Sequence, residues 1–315
     1  MSSDESKRTL VGLVPSRLAV GAEHHRLPWK PGDDHERGVK LALDWQQAAG
    51  SAAFWEMGAV TRGASESMVY AFAGLMASAG EQLGLAHASS MEVALWNDVR
   101  DGGGFNPEHE MCMRAMAEMQ TLFVTGTGHA LANLTARALA LRPGLRRELA
   151  ERLGPKKAPP GFDPFSDARV DWLSLNGSTC RTLRAVAEVA QTEEVTQLVA
   201  PVVEFGTGPA WTALQDRRGQ DFHRWRPQTH GIEGVCRASP WERDGPTRSI
   251  DGGRRPYQDA TGLANQAADL ARRAMLELVD VMEAFKARWL AASEHLGGPK
   301  FTTPPRSEST AGEQA

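Results

Sequence analysis

Between Trp211 and His230 the chain reads WTALQDRRGQDFHRWRPQTH, which gathers two imidazoles, two indoles and the guanidinium groups of Arg217, Arg218, Arg224 and Arg226, with Arg237 following. Imidazoles at His223 and His230 can ligate a metal or carry a proton near neutral pH. Guanidinium groups pair with carboxylates through two parallel hydrogen bonds. The local counter-charges are Asp216, Asp221 and Glu233, fewer than the cations. Burying that many cations is costly without anionic partners. Either carboxylates from other helices meet this surface or an acidic ligand does.

A second polar set lies upstream. Thr125, His129 and Asn133 follow at four-residue intervals, which makes them neighbours along one side of a helix. Polar groups inside an apolar helix need partners. Internal hydrogen bonding would supply them, or His129 faces a ligand. The same residues, LFVTGTGH from Leu122 to His129, also admit a strand entering a dinucleotide-binding turn, although the third glycine position holds Leu131. His24, His25 and His35 lie in or beside an irregular N-terminal stretch and are expected to be exposed rather than to bind a metal.

These groups can act together only if helices hold them. Pro209 at a first helical turn starts the focal helix, with Trp211, Leu214, Arg218, Phe222 and Trp225 on one face. Pro227 biases Arg226 out of the helix, so His230 starts a turn. Asp33 or Asp34 caps a helix expected to run to about residue 59, with Leu41 and Trp45 on its core side. Another follows Gly63 to about Leu85, and a shorter one runs from Ser90 through Trp96. Pro107 opens a long apolar segment to Leu141, the expected central helix. A short helix reaches Leu153, Ser178 and Thr192 cap two more, and Asp259 starts the longest. Its stripe runs from Leu263 through Leu278 and Phe285 to Ala292, roughly 50 Å.

The fold class expected is therefore all-α, a multi-helix bundle with a long C-terminal helix and irregular connecting loops. Residues 1–32 form an irregular segment, 33–296 the helical domain with a possible sub-boundary at 154–165, and 297–315 a disordered tail. With 315 residues, 41% hydrophobic and 23% charged, the chain can bury a substantial core. A formal charge of -4 argues against general nucleic-acid binding. Three separated cysteines and the absence of a signal-type or membrane-spanning apolar run fit a cytoplasmic protein that does not enter membranes. Homo-oligomerisation is compatible with this composition.

Which cofactor suits these side chains? Di-iron sites need Glu-x-x-His pairs on facing helices, and zinc needs three or four convergent ligands. Haem needs one axial histidine, an apolar slot between helices, and cations for its propionates. The segment Arg224-Trp225-Arg226-Pro227-Gln228-Thr229-His230 resembles the arginine, aromatic, proline and histidine segment of the tryptophan and indoleamine dioxygenases and their haem-dependent aromatic hydroxylase relatives.

That resemblance implies a haem-dependent aromatic oxygenase acting on an aromatic amino acid or a related small molecule. Where such enzymes place the axial histidine, Asp269 to Arg273 contain none, so iron ligation would fall to His230 or His223. His129 or His109 would then be the distal, catalytic histidine. Arg218, Arg224, Arg226 and Trp225 would hold the haem. Two alternatives belong to other classes: a ribonuclease of HEPN type using the Arg-x4-His pair Arg218 and His223, and a non-catalytic helical binding or scaffold protein.

Overall fold

The computed structural model describes residues 33–50, 66–101, 107–153, 172–223 and 260–296, and among these every regular element is an α-helix. In chain order they are α1 (Asp33–Gly50), α2 (Glu66–Asp101), α3 (Pro107–Ala140), α4 (Pro143–Leu153), α5 (Gly177–Ala190), α6 (Glu193–Thr207), α7 (Pro209–His223) and α8 (Ala260–His295). The helical bundle and its long C-terminal helix are as expected. The irregular N-terminal segment, the connector at 154–165 and the tail lie outside the described residues. No described helix is long and apolar enough to cross a membrane.

α3 is the axis of the fold. From Thr127 to Ala140 every one of its residues is buried, because α2, α4, α5, α6, α7 and α8 surround that half. α2 and α3 are joined by five residues, too short a link to carry the chain back along a 36-residue helix, so the two run antiparallel. Their register follows from Gly126, where a Cβ would collide with the Gln82 amide of α2. α1 lies along α2, close enough at Gly80 for a Cβ there to fall 2.6 Å from the Ala42 carbonyl oxygen. α8, about 54 Å long, spans the bundle on α3 and α6. Its expected stripe is buried at Leu263, Ala274, Leu278, Phe285 and Ala292. Arg37 of α1 pairs with Asp280 and Glu283 of α8 on the exposed side, contacts of small net worth.

Several expectations require correction. The break between Leu85 and Ser90 does not exist, since α2 continues through Ala88, Ser89 and Ser90 to Asp101. Ser89 is buried there, so tertiary packing overrides the modest helix propensity of serine. The dinucleotide turn at Leu122–His129 is overturned, because those residues are interior turns of α3. The cap of α5 is Asn176, whose side-chain oxygen accepts the Ser178 and Thr179 N–H groups at 2.9 and 3.0 Å. Thr192 occupies the N-cap position of α6 without a side-chain capping bond.

Candidate functional site

Among the described residues, two places bring a buried histidine together with other polar groups. The first is the row on α3. A non-helical segment at 172–175 runs along α3 and is held by it: Asn133 accepts the Leu173 N–H at 3.0 Å and donates to the Leu173 carbonyl at 2.8 Å. One turn back, His129 Nδ1 accepts the Leu175 N–H at 2.9 Å. The spacing allows the pairing. Two residues of non-helical chain can advance about 6.6 Å and four residues of helix about 6 Å, so polar residues four apart on α3 can meet alternate residues of the segment.

Trp211 of α7 completes this clamp, its indole N–H donating to the Leu175 carbonyl at 3.0 Å. The indole stands edge-on to the His129 ring at 5.7 Å between centroids and is almost fully buried. Gly128 makes room for it, since a Cβ at that position would lie 2.5 Å from the indole. A backbone N–H can only donate, so Nδ1 of His129 carries a lone pair and the ring proton sits on Nε2. Burial, with the Arg218 charge second, pushes this imidazole down to about 4. His129 and Arg218 are thus brought near each other, as are Trp211 and Leu214 within the core. Thr125 is buried with its hydroxyl unpartnered.

His109 lies in the first turn of α3 and His223 ends α7, but their side chains are outside the described residues, as are Arg224, Trp225, Arg226 and His230 entirely. Arg218 and His223 belong to the same helix, α7. His129 has committed Nδ1 to Leu175, and exposed His295 approaches Glu194 on the surface. Among the described residues no group of three or more His, Cys, Asp or Glu is arranged to hold a metal ion.

The second place is a cavity of about 510 Å³ between the start of α1, the second half of α2 and the first half of α8. His35 and His87 meet at its wall, Nδ1 to Nδ1 at 3.2 Å, with rings edge to face at 4.9 Å. One nitrogen must donate and the other accept, so the rings pair as neutral imidazoles, while the buried Nε2 of His87 has no hydrogen-bond partner. Burial, then the neighbouring His35, pushes His87 down to about 4; burial also lowers His35, against the pull of Glu36. Gly38 admits the His87 ring, because a Cβ there would fall inside it.

Asp33 and Asp34 from α1 and Asp269 and Arg272 from α8 line the same cavity. Asn97 and Asn265 link α2 to α8 through reciprocal amide bonds of 2.9 and 3.3 Å at its edge. Met91, Val93, Met275 and Leu276 supply an apolar part of the wall. Sequence reasoning missed this site. His35 stands in sequence beside an irregular stretch, Asp33 and Asp34 stand where helix caps stand, and His87 is 52 positions from its partner, so no local spacing announces the pair.

Comparison of the chain with protein-family models, with curated proteins and with solved structures finds no match. The geometry alone carries the functional reading.

Proposed function

We propose that this chain is a helical binding protein whose ligand occupies the cavity between α1, α2 and α8, and that the ligand is a small organic cation with an apolar body. The carrying observation is the lining: three carboxylates (Asp33, Asp34 and Asp269) against one guanidinium (Arg272), two neutral histidines, and a wall of methionine and aliphatic side chains. A volume of this size suits a small molecule, since ligand pockets run from roughly 300 to 1,000 Å³. The surplus of negative charge selects an ammonium group, and the apolar side chains take up a short hydrocarbon.

Alkylamines and alkylcarboxylates of matched chain length test this directly by thermal unfolding, since a ligand that binds the folded state raises the melting temperature. The amines are expected to raise it and the carboxylates to leave it unchanged. Asp269→Asn should abolish the rise. Equal effects of the two series would overturn the assignment. A haem oxygenase would need His223 or His230 as iron ligand, and those side chains lie outside the described residues.

A further inference from the structure

The N-terminal half of α3 carries an apolar face turned to the outside. From Met111 to Gly126 its exposed positions are Met111, Ala115, Met119 and Leu122, a stripe with spacings of four, four and three. Met111 is 68% exposed, and Met119 and Leu122 about as exposed as ordinary surface charges at 39% and 42%. A helix on a protein surface normally places polar residues on its outer side. Leu85 of α2, 41% exposed, widens the stripe: Gln82 lies over Gly126, and one turn further the antiparallel register brings Leu85 level with Leu122.

Over those sixteen residues of α3 the charged side chains are Arg114 and Glu118, paired at 3.3 Å along one edge of the stripe. Their placement is symmetric. If a second α3 lies antiparallel across the first, with a two-fold axis between residues 116 and 117, Met111 meets Leu122 of the second copy. Ala115 meets Met119, and Arg114 faces Glu118. A two-fold axis perpendicular to the plane of both helices keeps the charged edge on the same side in each, so both cross-pairs form at once. The surface is therefore complementary to itself in both shape and charge, the requirement of an isologous interface. Ala115 opposite Met119 lets the two backbones approach closely.

We infer that this face of α3, with Leu85, is the interface of a symmetric homodimer. The inference is independent of the ligand cavity, which lies on another side of α2. Sedimentation velocity of the full chain over a wide concentration range is expected to show a monomer–dimer equilibrium. Met119→Glu should leave only monomer with unchanged helix content. Arg114→Glu sets like charges against each other in both cross-pairs and should weaken the dimer roughly tenfold or more. The double variant Arg114→Glu/Glu118→Arg should restore it. A wild-type chain that stays monomeric throughout, a dimer indifferent to Met119→Glu, or a charge-exchanged double variant no better than the single one would each overturn the proposal.

Discussion

Among the described residues, the two sites with a buried histidine both hold neutral imidazoles, yet they differ in what surrounds them. At His129 the ring is packed beneath Trp211, its Nδ1 takes a backbone N–H, and Asn133 beside it binds the same non-helical segment. At His35 and His87 the rings share one Nδ1–Nδ1 bond, Nε2 of His87 stays unpartnered, and the pair borders open volume lined by three carboxylates. A lowered imidazole pKa is common to both, so it distinguishes nothing by itself. Free space beside unspent charge marks a place for a ligand. Polar groups consumed by their own backbone mark a joint between elements.

The contrast can be broken from the joint side first. Trp211→Ala removes the largest buried side chain of the clamp together with its bond to Leu175, and should cost about 3–5 kcal/mol in a urea titration. Gly128→Ala forces the same indole aside and should cost about 1–3 kcal/mol.

Acid comes next. His87 and His129 titrate near pH 4 when folded and near 6.5 when unfolded, so between those values the unfolded chain binds more protons. Stability is complete above pH 6.5 and declines as pH falls towards 4, by about 3 kcal/mol for each histidine. Equilibrium unfolding at a series of pH values should show this slope, and a shallower one in His129→Leu. At neutral pH that substitution strands the Leu175 N–H and should cost about 1–3 kcal/mol. The smallest effect is on the cavity side, where Asp269→Asn, at an exposed position, should change stability by less than about 0.5 kcal/mol.

Periodicity made the helices legible. The stripe from Leu263 to Ala292, the run after Pro107 and the start at Pro209 each rest on local spacing, and each appears where that spacing puts it. The row Thr125, His129 and Asn133 was visible for the same reason, although its partners at 173 and 175 were not. The continuity of α2 was hidden because two serines weaken a helix locally, while burial against other elements holds it. His87 was invisible as a site residue. Its surroundings come from α1 and α8, and the residues that make the cavity are ordinary helix surface until three helices converge.

The most direct test compares the amine-induced rise in melting temperature in three chains: wild type, Asn133→Ala and Asp269→Asn. Asn133→Ala should melt lower yet keep the full rise, because it damages the joint and spares the cavity. Asp269→Asn should melt like wild type and lose the rise. A rise lost in Asn133→Ala but kept in Asp269→Asn would place the ligand at the α3 row and contradict the division of labour drawn between the two sites.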